Sequence, residues 1–208
     1  ELNLSDVECS LAGPSRPHDR FARNDARSRF NAICADRNLD MDKRVAVNFM
    51  GSKYELTHGA IAIAAVTSCT TATDPAMMLA CGLVAKHARE RGLLAKPWVK
   101  RVMAPGSHAT QLMLERAGLA QPLAELGFAT CGFGCMSCIG NSGPVLPGMH
   151  DIANEIELAS VLSGNRNFEG RISPDVSQNY LCAPALVVAY ALAGTMDFDF
   201  ETEALGVN

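Results

Sequence analysis

Gly59-Ala-Ile-Ala-Ile-Ala-Ala-Val66, followed at once by Thr67-Ser-Cys-Thr-Thr71, decides the reading of this chain. An unbroken apolar run with a glycine at its start predicts a strand buried on both faces, the kind found inside a parallel sheet. Asp74-Pro75 then offers an N-cap and a first-turn proline to a helix running to about Arg91, with Met77, Met78, Cys81, Val84, Ala85 and Ala88 on one face and Gly92 as its stop. Strand, loop and helix in this order make the repeating unit of an α/β fold.

The same unit recurs downstream. Trp98–Met103 reads as the next strand, Pro105-Gly106 as a turn, His108–Ala117 as a helix ended by Gly118, and Phe128–Thr130 as a further strand. Ala159–Ser163 is another strand and opens into a polar loop, Gly164-Asn-Arg-Asn-Phe-Glu-Gly-Arg171; Cys182–Ala193 reads as an apolar helix. Upstream, Arg44–Phe49 and Tyr54–Thr57 flank a turn at Met50-Gly-Ser-Lys53 and predict a hairpin. Residues 1–20, with Gly13-Pro14 and Pro17, read as an irregular crossing loop, and Phe21–Lys43 as a solvated connection with one short helix over Ala22–Ala32. The expectation is a single α/β domain over residues 1–208 with a mostly parallel sheet, in which 1–58 form an irregular and hairpin extension.

Composition narrows the function. The formal charge of −4 argues against a general binder of phosphate backbones. Eight cysteines in a chain this long and apolar do not resemble a disulfide-dense secreted scaffold, and point to a reducing compartment, cytoplasmic or the mitochondrial matrix. No apolar stretch approaches the length of a membrane span and no leader pattern opens the sequence, so a soluble protein is expected.

Three cysteines stand where chemistry is expected. Cys69 follows the end of the buried strand, and Cys135 and Cys138 follow the end of Phe128–Thr130, so both loops fall on the carboxyl edge of the sheet, where open α/β folds bind ligands. Soft thiolates spaced Cys-x-x-Cys, with a third sulfur from a distant strand end, suit a metal or an iron-sulfur cluster. Other readings fit the spacing as well. A thioredoxin-type pair would leave Cys69 unused; a structural zinc site could take Cys131 as a fourth ligand; Cys131-x3-Cys135-x2-Cys138 has the spacing of radical S-adenosylmethionine enzymes. Cys9, Cys34, Cys81 and Cys182 read as inert thiols. Among the histidines, His58 and His108 fall near the functional edge. Arg166 and Arg171, on a glycine-bounded loop, can present two guanidinium forks to the carboxylates of one small acid; a salt-bridged surface loop is the plainer alternative.

Thr67-Ser-Cys-Thr70, Ala104-Pro-Gly-Ser107, Gly134-Cys-Met-Ser-Cys-Ile-Gly-Asn-Ser-Gly143 and Leu162-Ser-Gly-Asn-Arg-Asn-Phe-Glu-Gly-Arg171 strongly resemble the aconitase superfamily, in the long form of bacterial and cytosolic members, over nearly the whole chain. The resemblance implies the third of that family's four domains, a three-layer α/β/α unit, and a 4Fe-4S cluster on Cys69, Cys135 and Cys138. It places Asn165 close to the cluster and Arg166 and Arg171 on the substrate. The implied activity is hydro-lyase chemistry on a small hydroxy tricarboxylic acid, citrate to isocitrate through cis-aconitate, with a related isomerase acting on another hydroxy acid as the alternative. Thr71 stands where the family usually carries asparagine. The serine base, further arginines and the acid-site histidine and carboxylates of the family have no counterpart here, so the remaining aconitase domains are the expected partners. Cytosolic relatives bind RNA stem-loops when the cluster is lost, a reading that the acidic charge disfavours; no membrane partner is implied.

Overall fold

The structure, a computed structural model, describes residues 3, 5, 7–71, 73–165, 167–168 and 170–206, apart from the side chains of Cys138 and Ile139. Eight strands and six α-helices follow in the order β1 (Ser10–Ala12), β2 (Arg20–Ala22), α1 (Ala26–Asp36), β3 (Val45–Phe49), β4 (Ser52–Leu56), β5 (Ile61–Thr67), α2 (Pro75–Glu90), β6 (Lys100–Ala104), α3 (His108–Arg116), α4 (Ala120–Glu125), α5 (Pro147–Ile152), β7 (Ala159–Leu162), β8 (Gln178–Leu181) and α6 (Pro184–Ala193). Six strands form one sheet in the order β2-β1-β8-β7-β5-β6. From β8 to β6 the pairs are parallel, and β1 adds an antiparallel edge that β2 extends.

β5 lies inside this sheet, between β7 and β6, and every residue from Ile61 to Thr67 is buried, as the apolar run Ile61–Val66 requires. Helices lie on both faces, giving three layers. On one, α2 and α6 pack together and α6 lies along β5. α6 is apolar on all sides, Pro-Ala-Leu-Val-Val-Ala-Tyr-Ala-Leu-Ala, which suits a helix wedged between other elements and not one on a surface. The Asp74 side chain accepts from Ala76 N at 2.8 Å and Pro75 opens the first turn of α2, the start that the sequence predicts. The buried face of α2 is Met78, Cys81, Gly82, Ala85 and Ala88, whereas Met77 is exposed.

Residues 1–20 are not wholly loop. Ser10–Ala12 and Arg20–Ala22 pair with each other, and Ala12 faces Leu181 across the main sheet, so the N-terminal segment supplies its edge. The first α-helix begins four residues later than expected: Ala22 is extended and ends β2, and Arg23–Asp25 form a 3-10 turn ahead of Ala26. Lys100 opens the strand expected from Trp98, and Phe128–Thr130 contributes a single parallel bridge, Met103 to Thr130. The β3–β4 hairpin forms as predicted, from Val45 opposite Leu56 to Phe49 opposite Ser52.

At the amino edge of the sheet, Glu157 accepts from Arg37 Nη1 and Gln178 Nε2, both at 2.7 Å, and Tyr180 donates to Gln178 Oε1. His58 belongs to this edge and not to the cysteine edge, since it precedes β5. It is buried, and its Nδ1 accepts the Glu157 N–H at 2.9 Å, so the nitrogen carries no proton of its own. Burial lowers its pKa below the usual 6.5. A histidine held neutral in the fold contributes stability above its unfolded pKa, and that contribution is lost as pH falls toward the depressed folded value. The urea midpoint should therefore drop more between pH 7.5 and 5.5 for the wild-type chain than for His58→Gln; equal drops would remove His58 as the cause.

Candidate functional site

Three strand ends meet at the carboxyl edge. The chain leaves β5 toward Cys69 and α2, leaves β6 through Pro105-Gly106, and leaves β7 through Ser163-Gly164-Asn165. The loops after β5 and β7 depart in opposite directions, one toward β6 and the other toward β8, so a crevice opens between them at the switch point of the sheet.

Hydrogen bonds lock these ends together. Ser163 Oγ accepts from Thr67 N at 3.0 Å and donates to Thr67 O at 2.9 Å, closing β7 against β5. Thr67 Oγ1 donates to Gly134 O at 2.9 Å, and Gly134 N donates to Pro105 O at 2.7 Å, which carries the second cysteine loop onto the ends of both β5 and β6. Thr70 Oγ1 donates to Gly106 O, and Thr73 Oγ1 donates to Cys69 O at 2.7 Å. Gly106 lies so close to this loop that a Cβ there would collide with Thr73 Oγ1 and stand 2.8 Å from Cys69 O. Only glycine fits, because the Cys69 loop is folded directly against the turn.

The result is that Cys69 Sγ and Cys135 Sγ lie 3.0 Å apart, both half-buried, though 66 residues separate them. Cys135 caps a single π-helical turn, Met136–Gly140, of a kind common at functional sites. Cys138 is on that turn and its side chain lies outside the described residues. Cys131 is not drawn into the pair: it is exposed, its N and its thiol both reaching Met103 O, at 2.9 and 3.3 Å. Cys34, Cys81 and Cys182 are buried, and burial pushes the Cys34 thiol up to about 11 and the Cys81 thiol up to about 12, as expected of inert packing groups. Cys9 is exposed.

Asn165 is exposed two residues beyond the Ser163 clamp. Arg166 lies outside the described residues. Arg171 is half-buried, and its carbonyl accepts from Asn141 Nδ2 at 3.0 Å while Ser142 N donates to Ile172 O at 2.9 Å, so the arginine loop is tied to the segment just after the cysteine pair. His108 opens α3 with its ring edge-on to Phe133, centroids 5.9 Å apart. Phe133, Met136 and Phe168 are exposed apolar side chains carried on the cysteine and arginine loops.

The donor set suits a soft metal centre. Two thiols already converge, a third is on the same helical turn, and the buried Ser137 hydroxyl has no partner among the described residues. Among the described residues no three His, Cys, Asp or Glu side chains form a ready-made cage. Sequence reasoning groups Cys69 with the Cys135 loop but gives no sign of Ser163 or Thr67, whose hydroxyls tie β5 to β7 and to the second cysteine loop; no spacing signal marks a serine just past a strand end.

Comparison with known proteins gives the family. Residues 1–194 match the family described as Aconitase family (aconitate hydratase). The chain is 51% identical over 220 residues to aconitate hydratase A of Thermus thermophilus, covering 99% of this chain and 24% of that protein. It is 51% identical over 208 residues to phosphinomethylmalate isomerase of Streptomyces viridochromogenes, 99% of this chain and 23% of that protein. It is 43% identical over 255 residues to aconitate hydratase A of Corynebacterium jeikeium, 99% of this chain and 27% of that protein. The chain thus spans about a quarter of the length of the curated relatives it matches. With the four motif blocks in place and the family match running from the first residue into the end of α6, the chain belongs to the aconitase family.

Proposed function

We propose that this chain is the cluster-binding domain, residues 1–208, of a hydro-lyase of the aconitate hydratase type, with Cys69, Cys135 and Cys138 holding a 4Fe-4S cluster. The observation that carries this reading is the 3.0 Å approach of Cys69 Sγ to Cys135 Sγ at the switch point of the sheet. A cluster held by only three cysteines supplies an open iron, a Lewis acid able to polarise the hydroxyl of a hydroxy acid. This chain's own residues then bind and orient. Asn165 stands beside the cysteine crevice, and Arg166 and Arg171 hold carboxylates of the substrate in paired hydrogen bonds. We take citrate and isocitrate, interconverted through cis-aconitate, as the substrates, a choice supported by the relatives named aconitate hydratase. The apolar side chains of Phe133, Met136 and Phe168 support covering of this face by the remaining domains of a longer protein, which would also exclude water.

One observation favours a second reading. The Streptomyces relative is as similar to this chain as the Thermus one and is named for phosphinomethylmalate, so another hydroxy acid can be the substrate on the same frame.

Anaerobic reconstitution with iron and sulfide tests the cluster. The chain should turn brown, and mild oxidation should release about one iron in four, because three sulfurs leave one iron unheld. A colourless protein, or one that takes up zinc and no iron, would overturn the reading.

A further inference from the structure

On the opposite edge of the sheet from the cysteines, a cavity of about 490 Å³ opens between the β3–β4 turn, the segment before β6 and the end of α4. That volume is within the range of small-molecule sites. Part of the lining is apolar, with Tyr54, Leu94, Leu126 and Met50, and Met50 stands 94% exposed at the turn. Part of it is cationic. Arg101 lines the cavity with Lys96, and among the described residues neither has a carboxylate within ion-pairing distance. Glu125 at the rim is committed to Arg89, 2.6 Å away.

The Arg101 guanidinium is fixed before anything binds. Its Nη1 donates to Lys96 O at 3.0 Å, and Gly127 lies flat on it, close enough that a Cβ at Gly127 would strike Nε. Nε is sealed from solvent with no acceptor, and Nη2 makes no hydrogen bond among the described residues. A held, half-buried cation beside an apolar wall, with no internal counter-ion, is matched by an anion that carries an apolar body. We propose that this cavity is a binding site for a small carboxylate with an aliphatic or aromatic tail, its carboxylate on the Nη edge of Arg101 and Lys96, its tail along Tyr54, Leu94 and Leu126. Burial without a compensating carboxylate lowers the Arg101 pKa, the direction that an arriving anion would reverse. The site is independent of the cysteine crevice and stands whether or not a cluster binds there.

Octanoate is a suitable probe, titrated into the isotope-labelled chain while backbone amide shifts are followed. Saturable shifts confined to Leu94–Arg101, Leu126–Gly127 and the Met50 turn are expected, with a Kd on the order of 1 mM or tighter. Arg101→Lys keeps the charge but loses the planar fork, and should weaken binding roughly tenfold. Leu94→Asp, at an exposed position, sets a like charge against the ligand and should weaken it similarly. Three results would overturn the proposal: no saturable shifts, shifts that both variants leave unchanged, or inorganic phosphate binding as tightly as octanoate, which would reduce the site to a generic anion contact. If Arg101→Lys fails to fold, Leu94→Asp alone decides.

Discussion

Cys69→Ser, Cys135→Ser or Cys138→Ser should each leave the chain colourless after anaerobic reconstitution, while Cys131→Ser should turn as brown as wild type. The argument rests on position. Cys69 and Cys135 share one crevice, brought there by bonds from Thr67 to Gly134 and from Gly134 to Pro105, and Cys138 rides on the short helical turn that Cys135 begins. Cys131 is only four residues before Cys135, yet its thiol is turned to Met103 O and exposed. A serine hydroxyl is a harder and far less acidic ligand than a thiol, so it does not replace the lost thiolate on iron. Absorbance near the charge-transfer bands and the iron content per chain give the readout. Loss of the cluster in Cys131→Ser with retention in Cys69→Ser would restore the four-sulfur and radical-type spacings and abandon the ligand set proposed above.

The second large effect concerns turnover. Reconstituted by itself, the 208-residue chain should show no measurable hydration of cis-aconitate. Its proposed machinery comprises three cluster ligands and two arginines that hold anions, with no group assigned to remove or return the carbon-bound proton. A missing general base typically costs about 10²–10⁴ in rate, and an open crevice also fails to orient the acid and exclude water. Restoring the other domains of the family, in trans or in a longer protein, should restore the decay of cis-aconitate absorbance. In that assembly Arg171→Lys should raise KM about tenfold with a smaller effect on kcat, because an ammonium cannot form the paired bonds of a guanidinium. Robust turnover by the isolated chain would show that it carries its own base.

β5 is legible in the sequence because its residues are both buried and apolar. Ile61–Val66 has no polar residue that could face water, and Asp74-Pro75 marks the next helix with two independent signals. β8 is hidden for the opposite reason. Gln178 and Asn179 look like surface residues but are fully buried, satisfied by Tyr180, Glu157 and Ser160, and pattern reading has no access to partners that arrive through space. β1 and β2 are three residues each and separated by a proline-rich turn, too short for alternation to register. At the site, strand-end position is enough to group Cys69 with the Cys135 loop. The Ser163 clamp and the close fit of Gly106 are not foreseeable, since both depend on the exact distance between loops that the sequence presents far apart.

The pairing of Ala12 with Leu181 also governs when the molecule can be completed. About 170 residues of chain separate the two partners, so closing that contact draws together a very long loop, and the entropy must be spent before any bond across it is gained. At a synthesis rate of about 5–20 residues per second, the first strand waits on the order of ten to thirty seconds on the ribosome for its neighbour to be made. During that interval β5, α2 and β6 are adjacent in sequence and can assemble into a local unit, while Ser10–Ala12 has only β2 to pair with. The outer edge of the sheet is therefore the last part of this domain to be built and the part that a nascent chain must keep from pairing with a stranger.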